Sequence, residues 1–119
     1  MPMFLQLAYK NIDLYTLSKK LVFSCYEITH GLPEEEKDNL VKQVRTSALE
    51  AYMHIVRGLF SKSDKKRKNH FKISRQALQI IDASIELMIE LKYVKKDQLE
   101  ELENSLLPCY RLLKKMKKY

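Results

Sequence analysis

Leu14, Leu17, Leu21, Cys25 and Ile28 recur at steps of three and four, a spacing that puts them on one face of a helix. That helix should start near Asn11 or Asp13, either of which carries the short polar side chain of a cap. Gly31 offers a left-handed stop and Pro33 cannot continue the helix, so its end is expected near His30. Pro33 followed by Glu34, Glu35 and Glu36 reads as the next start, because proline fits a first turn and acids there complement the helix dipole. Leu40, Val44, Ala48, Ala51, Ile55 and Leu59 form the apolar stripe of this second helix. Ser63 is the expected cap of a third, which carries two adjacent stripes: Phe71, Leu78, Ile81, Ile85, Met88, and Ile73, Ala77, Ile80, Leu87, Leu91. It should end near Tyr93. Asp97 is the expected cap of a fourth, where Leu99, Leu102, Leu106, Cys109, Leu113 and Met116 keep the same step. Pro108 falls inside that pattern and should kink the helix, at a cost of about 3 kcal/mol unless packing compensates.

Helices joined by only a few residues must alternate in direction. The pattern therefore predicts an all-α protein, an antiparallel up-down-up-down four-helix bundle with crossing angles near ~20°. One domain covers residues 1–119, with residues 1–10 as a loose leader. Two glycines and three prolines in 119 residues agree with few turns and long elements. No repeat and no strand pattern interrupts the reading. Cys25 and Cys109 fall in apolar helical patterns without metal spacing, which reads as buried free thiols in preference to a disulfide. No stretch approaches the ~18 apolar residues of a membrane span, and no basic segment followed by an apolar run marks a signal peptide. A cytoplasmic protein without membrane contact is expected.

Charge changes the picture. The chain carries a net +7, which favours an anionic partner, and the excess is concentrated. The stretch SKSDKKRKNHFKISRQ, residues 61–76, holds Lys62, Lys65, Lys66, Arg67, Lys68, Lys72 and Arg75 against the single acid Asp64. Arg57 precedes it, and Arg111, Lys114, Lys115, Lys117 and Lys118 close the chain without an acid. In the predicted topology these segments share one end of the bundle. Glu34, Glu35, Glu36, Glu86, Glu90, Asp97, Glu100, Glu101 and Glu103 gather at the other. Lys65, Lys68, Lys72 and Arg75 step by three, four and three, so they form a stripe opposite the apolar face, about 15 Å long. That length spans about four phosphates of one strand. Two readings stand: the solvated side of an amphipathic helix, or a surface that holds phosphates. Against pure solubility, Lys65, Lys66, Arg67 and Lys68 sit in a first helical turn, where cations oppose the macrodipole by about 0.3–1 kcal/mol each. The candidate phosphate contacts are Arg57, Lys62, Lys65, Lys66, Arg67, Lys68, Lys72 and Arg75, with Lys114, Lys115, Lys117 and Lys118. An acidic protein is the alternative partner.

Catalytic and metal constellations fail. His54 and His70 lie in different helices with no cysteine at ligand spacing, and Glu27-Ile28-Thr29-His30 is a single Glu-x-x-His where a di-metal bundle needs two. There is no phosphate-binding glycine loop and no nucleophile–base arrangement. The expectation is a protein that is not an enzyme and needs no cofactor; a small-ligand carrier is disfavoured by the apolar core pattern. Tyr15, Tyr26 and Tyr52 lie off the main stripes with Val22 and Val56. They are either scattered surface apolars or the contact face of a homo-oligomer, since tyrosine is enriched in interfaces.

The chain from Asp13 to about Lys114 resembles the four-helix bundle proteins encoded within intervening sequences of bacterial 23S ribosomal RNA genes. These are related in fold to the accessory variability determinant of diversity-generating retroelements. The resemblance rests on Leu32-Pro33-Glu34, Gln43-Val44-Arg45 with Ala48, Ile55, Gly58, Phe71, Ile85-Glu86-Leu87, and Leu91 to Tyr93. It departs where the family usually reads Asn-Ile-Ala-Glu-Gly: here stands His54-Ile55-Val56-Arg57-Gly58, so no role of that asparagine or glutamate carries over. The resemblance implies a homo-oligomer, usually a pentameric ring. In the retroelement branch it also implies binding to RNA or DNA, or to a reverse transcriptase.

Overall fold

The computed structural model describes residue 5 and residues 7–116. Helix α1 spans Asp13–His30, α2 Lys42–Phe60, α3 Asp64–Glu90 and α4 Glu100–Lys115, with no strand among the described residues. Each helix packs on the next, and α4 closes back on α1. The α2–α3 contact is the most extensive and α3–α4 the slightest. Direction alternates as the short links require. Arg45, early in α2, donates through Nε to Thr29 Oγ1 late in α1 at 2.9 Å, while Tyr52, late in α2, meets the hydroxyl of Tyr15, early in α1, at 3.4 Å. The main stripes point inward as their spacing predicts: Leu14, Leu21, Cys25, Val44, Ala51, Ile55, Phe71, Ile81, Met88, Cys109 and Leu113 are all buried in one core, whereas in the second stripe of α3 Ala77 is buried but Ile80, Leu87 and Leu91 are exposed. Burial pushes the thiols of Cys25 and Cys109 up to about 12, so both stay protonated and unreactive.

Several element ends differ from the sequence expectation. The cap position of α1 is Ile12, which makes no side-chain hydrogen bond, and Asp13 is already helical; the side chain of Asn11 lies outside the described residues. Gly31 is not left-handed (φ −87°, ψ 0°); the chain leaves α1 through a tight turn in which Leu32 N–H donates to Thr29 O at 3.2 Å. The second helix does not begin as α-helix at Glu34. A 3-10 turn, Glu34–Glu36, and a π turn, Lys37–Val41, precede it. The wider π turn shifts the phase of the α2 stripe relative to its entry, and Tyr93 tethers this entry to the far end of α3 by donating to Glu36 Oε2 at 2.8 Å. Asp97 does not cap α4. It sits inside a 3-10 turn, Lys96–Leu99, and the residue before that turn, Lys95, donates its N–H to Gln98 Oε1 at 2.8 Å. Ser63 does cap α3, accepting from Lys66 N at 3.3 Å. Helix α4 continues through Pro108. Of the leader, Ala8–Asn11 forms a 3-10 turn, and the ring of Tyr9 packs edge-on against Tyr15 with centroids 5.4 Å apart.

The α2–α3 seam is built on small residues. Ser47, Ala48, Ala51 and Gly58 are buried along α2, and the two backbones come close enough for Ser74 Oγ on α3 to donate to the carbonyl of Ala51 at 3.0 Å. At Gly58 the ring of Phe71, itself fully buried, lies directly on the glycine: a Cβ there would stand 2.5 Å from Phe71 Cε1 and 2.9 Å from Cδ1. Gly58→Ala should therefore destabilise the protein by about 1–2 kcal/mol, overpacking outweighing alanine's helix preference. Adding Phe71→Leu should recover much of that loss. Thermal denaturation followed by circular dichroism reads both; an unchanged midpoint for Gly58→Ala would show that the seam has room to spare.

The end of α3 carries a second prediction. Tyr93 N–H donates to Met88 O and Lys92 N–H to Ile89 O, both at 2.9 Å, a Schellman closure that needs a left-handed residue after the helix. That residue is Lys92, at φ 65°, where glycine would avoid a cost of about 1–2 kcal/mol. Lys92→Gly should raise the midpoint by a few degrees, and a fall in the same measurement would contradict this account.

Candidate nucleic-acid interface

The basic end is assembled by topology. The end of α2, the three-residue link 61–63, the start of α3 and the end of α4 meet there, with Arg57, Lys62, Lys65, Lys66, Lys68, Lys72, Lys114 and Lys115 all exposed. Lys117 and Lys118 lie outside the described residues. Gln79 Nε2 on α3 donates to Tyr110 Oη on α4 at 3.0 Å. One turn further toward the basic end stand Arg75 on α3 and Lys114 on α4, whose ammonium leans over the Tyr110 ring at 5.8 Å. The α3 stripe and the tail of α4 therefore extend one another across a seam. A shallow basin of about 700 Å³ is lined by Lys65, Lys66, Lys68, Asn69, Lys72 and Arg75, with no carboxylate among them.

Arg67 departs from its companions. It is half-buried, paired with Asp64 Oδ1 through Nη1 at 2.7 Å and donating through Nη2 to the Ser61 carbonyl at 2.5 Å. These bonds make it a brace across the α2–α3 link, away from the exposed stripe. The Arg67–Asp64 bond is the one ion pair among the described residues. Among the described residues, the exposed lysines of the stripe have no carboxylate partner.

Spacing along the chain also missed a pair that the seam brings together. His54 on α2 and His70 on α3 face one another with Nδ1 atoms 3.0 Å apart and ring centroids at 5.2 Å. The nitrogens point nearly head-on, so one donates a proton to the other. No group of three or more metal-ligating side chains exists among the described residues.

The expected oligomer face needs one correction. Tyr15 is 6% exposed and packs inside the protomer between Tyr9 and Tyr52, with centroids 5.4 and 5.9 Å away. It is covered and cannot touch a second copy. Tyr52 lies 37 residues along the chain and Tyr9 precedes the helix, so helical spacing alone could not find them. Val22, Tyr52 and Val56 are half-buried, while Tyr26 is exposed beneath the Arg45 guanidinium at 4.5 Å. The outward apolar side chains of α1 and α2 are instead Phe23, 71% exposed, with Leu49 and Met53. On the opposite side of the bundle, the slight α3–α4 contact leaves an apolar groove of about 630 Å³, lined by Leu78, Ile85, Leu102, Leu106, Leu107 and Tyr110 with Asp82 and Glu103 among others. No described helix is long and apolar enough to cross a membrane.

Comparison with known proteins agrees with this geometry. Residues 10–115 match the 23S rRNA-intervening sequence protein family over nearly the whole bundle. The chain belongs to this family. A crystal structure of a protein of unknown function from the S23 ribosomal protein family of Bacteroides thetaiotaomicron superposes with a TM-score of 0.79 at 20% identity, covering 89% of this chain and 99% of that one. At that identity the likeness shows the shared fold. Curated proteins returned no match.

The histidine pair yields a pH prediction. Burial first, then His70 and Arg57, hold the pKa of His54 below its ordinary 6.5, with Glu50 pulling the other way. On α3, Lys66 and Arg67 lie one turn before His70 and add no carboxylate. A lowered pKa means that the unfolded chain takes the proton more readily. The pair's contribution is therefore full above about pH 6.5 and lost as pH falls through the lowered folded value. His54→Gln should destabilise the protein more at pH 7.5 than at pH 5.5. A difference in denaturation midpoint independent of pH would refute the proton-sharing contact.

Proposed function

We propose that this protein is a non-enzymatic nucleic-acid-binding accessory protein that works as a homo-oligomeric ring with a basic face. One observation carries the reading: the exposed cations Lys65, Lys68 and Lys72 run in line along α3 with no carboxylate among the described residues to neutralise them, and Arg75 continues the line. The helix dipole opposes Lys65, in the first turn, as well. Such a row recovers its electrostatic cost when it meets a polyanion, and its contacts go to phosphates, which give affinity without sequence choice. Membership of a family named for an intervening sequence of 23S rRNA supports RNA as the first nucleic acid to test.

A ring requires a head-to-tail contact between two different surfaces. The two unlike apolar surfaces on opposite sides of this bundle suit that requirement. Phe23, Tyr26, Leu49 and Met53 on α1 and α2, with Val22, Tyr52 and Val56 beside them, form the protruding face, and the α3–α4 groove forms the receiving one. Bundles standing along the ring axis would present all basic ends on one side.

Two measurements test this. Replacing Lys65, Lys68, Lys72 and Arg75 together with glutamine should leave the bundle folded and flatten the plot of log K against log salt by up to about four units on duplex DNA. Binding unchanged by the four substitutions would reduce the stripe to a solvated face. Binding confined to an acidic protein, or to a reverse transcriptase of the kind that the retroelement resemblance implies, would favour the alternative partner. For the ring, light scattering should give a multiple of 14.1 kDa, falling to the monomer in Phe23→Glu. A monomeric wild-type protein at micromolar concentration would remove the assembly.

A further inference from the structure

Helix α3 carries apolar side chains that its own bundle does not use. Ile80, Leu87 and Leu91 are each 46% exposed, Ile73 is half-buried, and none of the four is part of the core. Ile73, Ile80 and Leu87 recur every seven residues and Leu91 follows four further on. They therefore line up along one side of the helix over about 27 Å. Single exposed apolars are ordinary, but a row at heptad spacing is the pattern of a seam between two helices. The row is separate from both surfaces assigned to the ring. None of its members lines the α3–α4 groove, and Phe23, Leu49 and Met53 stand on α1 and α2.

The charges beside the row indicate what covers it. The residues just before Ile73, Ile80 and Leu87 are Lys72, Gln79 and Glu86, all exposed. Their order is positive, neutral, negative, symmetric about Gln79. A twofold axis across α3 at Gln79 carries this flank onto the same flank of a second copy in reverse order. Each Lys72 then lies beside the partner's Glu86, and Ile73 comes level with the region of the partner's Leu87. A parallel pairing would instead bring like charges to the same level. The flank continues to Lys65 in the first turn and Glu90 in the last, and each opposes the dipole of its own helix. In the antiparallel pair, Lys65 comes within about one turn of the partner's Glu90. Neither Lys72 nor Glu86 has an ion-pair partner among the described residues of its own protomer.

We infer that α3 is a self-recognition surface: two copies of this chain pair antiparallel along Ile73, Ile80, Leu87 and Leu91, with Lys72 of each on Glu86 of the other. The inference goes beyond the nucleic-acid reading and does not rest on it. Lys72 belongs to both, so a second copy and a phosphate compete for it. The apolar row is short, and its contact falls below the ~800 Å² per partner of a stable interface. The pair is therefore weaker than the ring and forms at about 100 µM protein.

Zero-length carbodiimide cross-linking of the full-length wild type at about that concentration tests the register. Within one chain Lys72 and Glu86 stand about 21 Å apart along the helix, so a direct amide between them can form only between two copies. Mass spectrometry should find that link in the band at twice 14.1 kDa. Sedimentation equilibrium tests the charges in chains that also carry Phe23→Glu, which removes the ring contact. The mass should approach twice 14.1 kDa, and fall to the monomer on adding either Lys72→Glu or Glu86→Lys. An equimolar mixture of those two variants should restore it, because both pairs are then attractive with their signs exchanged; that recovery also shows both variants to be folded. Absence of the Lys72–Glu86 link in wild type would overturn the pairing. So would a mass that either reversal leaves unchanged, or a mixture that stays monomeric. None of these outcomes bears on whether the lysine stripe binds nucleic acid.

Discussion

The contact of the Phe71 ring with the backbone at Gly58 sets the geometry of the basic end. A side chain larger than hydrogen on α2 would push α3 outward at this point. The first turns of α3, which hold the basin, would then lose their fixed distance from the end of α2. Because the seam is close, Ser74 reaches the Ala51 carbonyl, His54 meets His70, and three residues suffice to join α2 to α3. Arg67 then spans that short link. The cations are thus displayed on the most tightly packed half of the molecule, where little backbone entropy remains to be lost on binding.

The opposite end is held by different means. There Arg45 connects α2 to the last turn of α1, through Thr29 Oγ1 and the Tyr26 carbonyl. A cation at a helix C-terminus is favoured by the dipole. Thr29, buried, also donates to the Cys25 carbonyl, so its hydroxyl is fully used. Tyr93 ties the exit of α3 to Glu36. Neither end is uniform: at the acid-rich end Glu90 closes α3 against its dipole, while at the basic end Arg57, Lys114 and Lys115 suit the ends of α2 and α4 and the first-turn lysines of α3 oppose theirs. Those α3 lysines are the charges that folding alone explains least.

The four helices and their order were legible because apolar side chains at steps of three and four report burial directly, and the inward stripes of Leu14 to Cys25 and Phe71 to Met88 followed that rule. Ends were less legible. Asn11, Asp13, Gly31 and Asp97 have suitable chemistry for caps and stops, but tertiary tethers and backbone turns decide where α1 and α4 begin and how α1 ends. The buried serines were also missed. Ser18, Ser84 and Ser105 bond carbonyls three or four residues back, which lets a polar residue occupy a core position without a partner visible in the pattern. At the candidate site, the stripe was readable from charge and spacing. The roles of Arg67 and the histidine pair were not, since each depends on what faces it from another part of the chain. Tyr15 shows the same limit: its off-stripe position suggested a surface, and Tyr9 from the leader and Tyr52 from α2 cover it.

Assembly and anion binding are coupled in the proposed ring. Side-by-side bundles bring several basic ends together, and their mutual repulsion opposes closure most strongly at low salt, when the Debye length is long. A polyanion lying across the ends removes that repulsion and so favours the ring, while the ring raises the local potential felt by the polyanion. By linkage the two effects are equal in free energy. The apolar faces must then contribute more than the repulsion for the free protein to assemble. That role falls to Phe23, Leu49 and Met53 against the α3–α4 groove, far enough from the basic end to act independently of salt. A protein built this way would be held together by its flanks and addressed by its end.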